Sequence, residues 1–258
     1  MTRPKRIRER QMLVNLMRNR PEKVATDNPK AVIDASKKEA TIYVYGEIWR
    51  YGINAKDFVK EINDLDVGTI HLRIDSPGGD VFAARAMQTA IRQHKANVIA
   101  HIDGLAASAA TFLAMGADEI EIVEGGFFMI HKAASFLDVF GYFSEDGMAN
   151  LISEIGKEID LLKKVDESII SDYTKKTGKG ADEIKTWMAD TKWFSAQEAL
   201  AAGFVDRIYE GKPVENRFDL SFFSNAPKEL IERPQPREEP KTTNTAALLR
   251  RLELEIAQ

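Results

Sequence analysis

The sequence predicts an α/β fold built on a largely parallel sheet. Strand-like and helix-like patterns alternate from about residue 39 to 209, which is the order that a parallel sheet with crossover helices requires. Turn signals close several of the strands, among them Asp75-Ser76-Pro77-Gly78-Gly79 and Glu124-Gly125-Gly126. In open α/β sheets, reactive groups gather at the carboxyl ends of the strands, so these turns are the first places to look for chemistry.

Ala40 to Glu47 opens the series, with Thr41-Ile42-Tyr43-Val44-Tyr45 β-branched and aromatic, as a strand prefers. Ala55 to Leu65 follows as a helix with Phe58, Ile62 and Leu65 on one face. Thr69 to Ile74 alternates Ile70, Leu72 and Ile74 and reads as a second strand. Asp80 to Gln93 repeats Val81, Ala84, Met87 and Ile91 at helical spacing. Asn97 to Ile102 is a third strand and Ala106 to Met115 a third helix. Glu119 to Val123 and Phe127 to His131 read as two further strands. From Phe143 to about Thr177 apolar residues recur every three or four positions (Met148, Leu151, Ile155, Ile159, Leu162, Val165, Ile169, Tyr173), with charges opposite. A helix of that length suits either a projection that packs on another subunit or a long intradomain element.

Three zones follow from composition. Residues 1–35 form a basic arm, with Arg3, Lys5, Arg6, Arg8, Arg10, Arg18 and Arg20 against Glu9, read as a flexible or self-cleaved leader. Residues 36–210 are the folded domain. Residues 211–258 are an extension with a linker carrying Pro227, Pro234, Pro236 and Pro240, then a short amphipathic helix marked by Leu248, Leu249, Leu252 and Ile256. The 258 residues carry a formal charge of −4, which gives no reason to expect nucleic-acid binding. The chain has no cysteine, which excludes disulfides, thiolate metal sites and cysteine nucleophiles. Its longest uncharged run, Gly104 to Ala117, falls short of the roughly 18 residues of a membrane span. The expectation is a cytoplasmic protein with no membrane segment, no metal and no cofactor.

Ser108 lies among small residues, Gly104-Leu105-Ala106-Ala107-Ser108-Ala109-Ala110, between a strand and a helix. Such a turn exposes a hydroxyl and aims the backbone N–H groups that follow it at a developing oxyanion. Taken alone, the serine reads as a helix cap or a buried small residue. His131 ends the apolar run Phe127-Phe128-Met129-Ile130, where a neighbouring strand can bring its imidazole to Ser108 as a general base. Gly78 and Gly79 let a backbone come close to a substrate.

Together these stretches resemble the proteolytic subunit of the Clp protease, a serine peptidase family. Asp75-Ser76-Pro77-Gly78-Gly79, Gly104-Leu105-Ala106-Ala107-Ser108, Met129-Ile130-His131, Ser195-Ala196-Gln197-Glu198-Ala199 and Gly203-Phe204-Val205-Asp206 occur in the family's order and at similar spacing. The resemblance covers about two-thirds of the chain. It is greatest to the Clp-like head maturation (prohead) proteases of tailed phages, which add N- and C-terminal segments to the same core.

The resemblance implies a ClpP/crotonase-like fold whose long helix is a projecting handle joining rings of subunits. It implies Ser108 as nucleophile, His131 as base, and oxyanion-hole N–H groups from Gly78 and Ala109. Substrate peptide would lie as a strand against Gly79 and the strand beginning near Gly126. The family's third residue, an aspartate four positions before the serine of the Ser-Ala motif, falls here on Thr191, with Asp190 one place earlier. Both stay open as the partner of His131. The implied partners are protein or peptide substrates, capsid or scaffold protein among them, further copies in a ring, and a separate ATPase, since the chain carries no phosphate-binding loop of its own. Rival expectations are a general Clp-like peptidase fed by an ATPase, a crotonase-fold acyl-CoA enzyme, a lysine-base peptidase using Lys132, and a non-catalytic shell protein.

Overall fold

The computed structural model describes residues 31–137, 139, 142–212 and 218–231. The basic arm up to residue 30 and the amphipathic segment at Leu248–Ile256 lie outside them. The elements run β1 (Val32–Asp34), β2 (Glu39–Tyr45), α1 (Ala55–Asn63), β3 (Thr69–Ser76), α2 (Val81–Gln93), β4 (Asn97–Ala107), α3 (Ala109–Ala114), β5 (Glu119–Val123), β6 (Phe127–Ile130), α4 (Glu145–Thr177), α5 (Ala181–Ala189), β7 (Lys192–Ser195), α6 (Ala196–Ala202), β8 (Arg207–Tyr209) and α7 (Lys228–Ile231).

One sheet runs in the order β1-β2-β3-β4-β5-β8, and β6 pairs with both β4 and β7. The pairs β2·β3, β3·β4, β4·β5, β4·β6 and β5·β8 are parallel; β1·β2 and β6·β7 are antiparallel. The expected α/β architecture of repeated strand–helix units is therefore present. β1 takes in residues expected in the basic arm, so the sheet begins earlier than composition suggests.

Period-two alternation fixes which side chains face the helices. Ile42, Val44, Ile70, Leu72, Ile74, Val98, Ala100, Ile102, Ile120 and Ile122 are buried and form the main core with Phe58 and Ile62 of α1 and Met87 and Ile91 of α2. Caps define where the helices start. Asn54 accepts from Lys56 and Asp57 N–H at α1, and Asp80 accepts from Phe82 and Ala83 N–H at α2. Ser195 and Glu198 form a reciprocal capping box at α6, so the Ser195-Ala196 motif here starts a helix.

The opposite face of the sheet is polar. Asp103, 2% exposed, accepts from Arg73 at 2.7 and 2.5 Å, from the Tyr45 hydroxyl at 2.6 Å and from the Tyr209 hydroxyl at 2.5 Å. His71 and His101 share a 2.9 Å hydrogen bond, and His101 also contacts Glu121.

α4 has 33 residues, about 50 Å of helix. Its buried residues, Ile169, Ile170, Asp172 and Tyr173, all lie near its C-terminal end, whereas Met148, Ile152, Ile159 and Leu161 are exposed. Asp172 ties that buried end to α2 through Arg85 and Arg92. Gly178, in the left-handed region at φ 70°, closes the helix.

Candidate active site

The third strand–helix boundary differs from the expected one. β4 runs on through Ala107, because Leu105, Ala106 and Ala107 pair with Phe127, Phe128 and Met129, and α3 starts only at Ala109. Ser108 is the junction. Its N–H donates to Met129 C=O at 2.9 Å, and its backbone is turned to φ 54°, ψ −126°. A non-glycine residue in that region costs on the order of 1–3 kcal/mol, which the flanking strand pairing and helix must sustain. Ser108 occupies the cap position of α3 yet its side chain makes no capping bond. Oγ instead lies 2.7 Å from His131 Nε2. The cap reading of Ser108 thus does not describe what its hydroxyl does.

The turn is braced from α4. Thr111 Oγ1 donates to Ser108 C=O at 2.5 Å and also meets the Tyr173 hydroxyl, which burial pushes to a higher pKa.

His131 follows directly on β6, whose pairing with β4 carries the imidazole to the end of the strand leading into Ser108. Burial lowers its pKa from 6.5 to about 4, and no charged neighbour contributes to that shift. The imidazole is therefore neutral near pH 7 and able to accept a proton. The other histidines are elsewhere: His71 and His101 on the polar sheet face, and His94 at the end of α2, against Leu65 C=O.

Gly78 presses on the same turn. A Cβ there would sit 2.6 Å from Ala107 O, 2.8 Å from Ala109 N and 2.8 Å from Ser108 Cβ, and its φ is 92°. Only glycine fits, and the Gly78 and Ala109 amides flank Ser108 together. Ala109 N–H has no backbone acceptor among the described residues. Gly78 N–H donates to the buried Ser76 Oγ at 3.1 Å, and Ser76 in turn donates to Gly46 C=O.

Gly79 is held by Ile48, whose N–H donates to Gly78 C=O at 2.8 Å and whose C=O accepts from Asp80 N–H at 2.7 Å. That pattern turns the N–H and C=O of Gly79 itself to the other side, where they meet no backbone partner among the described residues.

Gly126 does not join the site. It is buried in the β5–β6 turn, where its N–H donates to Val123 C=O at 2.9 Å, and it does not line the cleft. The strand it leads into, β6, is paired on both edges and offers no ladder to a substrate. The cleft is a cavity of about 560 Å³ lined by Ser108, His131, Gly78 and Gly79. Its other walls include Ala133–Phe136 after His131, Leu161, Leu162 and Val165 of α4, and Phe222 and Phe223 from the segment after β8. The sequence reading passed over these walls. The small residues Ala133-Ala134-Ser135 directly after His131 were the available signal for one of them.

Neither candidate for the third position is joined to His131 by a hydrogen bond among the described residues. Asp190 caps the C-terminus of α5, and its carbonyl accepts from Asn225 Nδ2 at 2.7 Å. Thr191 has φ 50° and precedes β7. It is a turn residue that adjoins the last pair of the β6·β7 ladder, Ile130–Lys192, as His131 does from the other strand. Phe223 also meets the imidazole, ring edge to ring face, at a centroid distance of 5.4 Å.

Among the described residues, no helix is long and apolar enough to cross a membrane, and no group of side chains is suited to hold a metal ion.

Comparison with known proteins agrees with this architecture. The chain is 29% identical over 161 residues to the ATP-dependent Clp protease proteolytic subunit of Leuconostoc citreum, covering 60% of this chain and 70% of the relative. It is 27% identical over 144 residues to a chloroplastic proteolytic subunit-related protein 2 of Arabidopsis thaliana, covering 55% of this chain and 48% of that protein, about half its length. A point mutant of ClpP1 from Listeria monocytogenes has a similar structure, with TM-score 0.56 and 25% identity over 66% of this chain and 91% of that one. The family model for Clp protease matches residues 29–212, most of the chain, and on that match the chain belongs to the Clp protease family.

Proposed function

We propose that this protein is a serine endopeptidase in which Ser108 is the nucleophile and His131 the general base. The observation that carries the reading is the 2.7 Å contact between Ser108 Oγ and a neutral, buried His131 Nε2, at a serine turned to positive φ and not used as a cap. Ser108 Oγ attacks a peptide carbonyl carbon as His131 Nε2 takes the hydroxyl proton. The carbonyl oxygen gains the negative charge and is met by the N–H groups of Gly78 and Ala109. For Gly78 this means exchanging the acceptor Ser76 Oγ for the oxyanion. His131 then passes its proton to the departing amine, leaving an acyl ester on Ser108. Water, deprotonated by the same nitrogen, hydrolyses the ester and restores both residues.

The substrate lies as an extended strand against the open N–H and C=O of Gly79. Ala133–Phe136, rather than Gly126, line the facing wall. For the third position we place Thr191, which adjoins the last β6·β7 pair, ahead of Asp190, with a hydroxyl orienting the ring in place of a carboxylate. The exposed apolar stripe of α4 supports assembly of copies into rings.

The finer reading is processing of capsid or scaffold protein during phage head maturation, suggested by a peptidase core with added terminal segments. The alternative is a general peptidase fed by a separate ATPase. Mass spectrometry of the protein coexpressed with the products of neighbouring genes, wild type against Ser108→Ala, tests both levels. Cuts in a structural protein that vanish with Ser108→Ala support the maturation role. Cuts that need an added ATPase support the alternative. Cuts that persist in Ser108→Ala overturn the assignment of the nucleophile.

A further inference from the structure

The family match ends at residue 212, yet the described chain resumes at 218 and packs directly behind the site. Leu220 and Leu230 are buried with Leu105, Ala107 and Met129, on the strands that deliver Ser108 and His131. Two polar ties hold the same segment. Trp193 Nε1 donates to Ser224 C=O at 3.2 Å, and Asn225 Nδ2 donates to the carbonyl of Asp190, one of the two candidates for the third position. Phe223 packs its ring on His131 at 5.4 Å and 72°, and on Trp193 at 6.0 Å. Phe222 and Phe223, 4.1 Å apart, both line the cleft with Ser108.

A histidine base needs its ring held in one orientation, and an acidic partner usually does this. Among the described residues no carboxylate bonds to His131. An aromatic side chain packs on the ring at the distance and angle that favour edge-to-face packing. We propose that residues 218–231 are a working part of the active site: Phe223 is the positioning residue that holds the His131 imidazole against Ser108, and Phe222 with Phe223 forms the wall that receives an apolar substrate side chain. This inference rests on the peptidase reading.

Removing the Phe223 ring admits water beside His131. The charged groups on the surrounding elements are Lys132, Asp166 on α4, Asp190, Lys192 on β7 and Asp219 in the segment, with Glu47, Asp80 and Glu158 on the cleft. None of them contributes to the lowered pKa of His131, for which burial alone accounts.

The test uses the full chain and a fluorophosphonate probe, with the rate of Ser108 labelling followed from pH 4 to 8. Phe223→Ala should lower the rate at pH 7 at least tenfold, since small misplacements of a reacting group have effects of that size or larger. It should also move the acid midpoint up from about 4 toward 6.5. Phe223→Leu, which keeps most of the packing, should recover most of the rate. Phe222→Ala should narrow any preference for a bulky apolar phosphonate over a small one. If Phe223→Ala does not fold, Asn225→Ala loosens the segment without emptying the core and must shift rate and midpoint in the same directions. A folded Phe223→Ala with unchanged rate and midpoint overturns the proposal, as does faster labelling, which would make the segment a plug. Failure of the wild type to label at all would instead overturn the peptidase reading.

Discussion

On the proposed mechanism, the pH at which Ser108 loses its reactivity reports directly on what surrounds His131. Burial lowers the imidazole pKa from 6.5 to about 4, and no carboxylate offsets that shift. The sign is fixed by the chemistry: the base works only when neutral, so a lowered pKa keeps it working into acid. At pH 5.5 an ordinary histidine would be about 9% neutral, whereas one with a pKa of about 4 would be about 97% neutral, a tenfold difference in competent base. The assay is the second-order rate of fluorophosphonate labelling at Ser108, measured in buffers from pH 4 to 8 at constant ionic strength, with circular dichroism to confirm folding at each point. The rate should be flat from about pH 8 to 5.5 and fall to half near pH 4. A midpoint at 6.5 or above would refute the reasoning. A midpoint at 6.5 would mean that the ring is hydrated as in free solution, and one above 6.5 that an acidic group stabilises the imidazolium, as an aspartate hydrogen-bonded to the ring would.

Other outcomes follow from the same geometry. Gly78→Ala places a methyl 2.6 Å from Ala107 O and 2.8 Å from Ala109 N at φ 92°, so acylation should fall about 10²–10³-fold, the scale of losing an oxyanion donor, while the melting curve stays cooperative. Asp190→Asn should change the labelling rate by less than about threefold, where loss of a triad acid costs about 10⁴-fold; Thr191→Val should have the larger effect of the two. Asp103→Ala strips the acceptor from Arg73, Tyr45 and Tyr209 on the polar sheet face. It should cost about 3 kcal/mol, the lower end for a buried ion pair because Arg73 reaches solvent, or about 10 °C in melting temperature, with little change in Ser108 labelling.

Much of the architecture was legible because it rests on local rules. Ile70, Leu72 and Ile74 alternate because one face of β3 is buried, and Phe58 with Ile62 repeat at helical spacing because one face of α1 is. Ser108 and His131 were legible as a pair only through several stretches read together, since each alone has a structural explanation. The expected strand stopped at Ile102, five residues short of the observed end at Ala107, because Ala106 and Ala107 have helical propensity, and their pairing with Phe128 and Met129 overrides it. The resemblance implies a substrate-binding strand beginning near Gly126, but whether that strand has a free edge depends on β7, which arrives some 65 residues later. Phe222 and Phe223 left no signal at all. Their role depends on a tertiary return of the chain across β6 and β7, which no periodicity in a short segment encodes.

The central claim is that Ser108 is a nucleophile activated by His131. Peptide mapping of fluorophosphonate-treated protein tests it most directly, with wild type, Ser108→Ala and His131→Gln treated alike at pH 7. The account predicts one adduct, on Ser108, absent from Ser108→Ala and formed at least a hundredfold more slowly in His131→Gln. An adduct on another residue in the wild type, or a His131→Gln variant that labels at the wild-type rate, would contradict it.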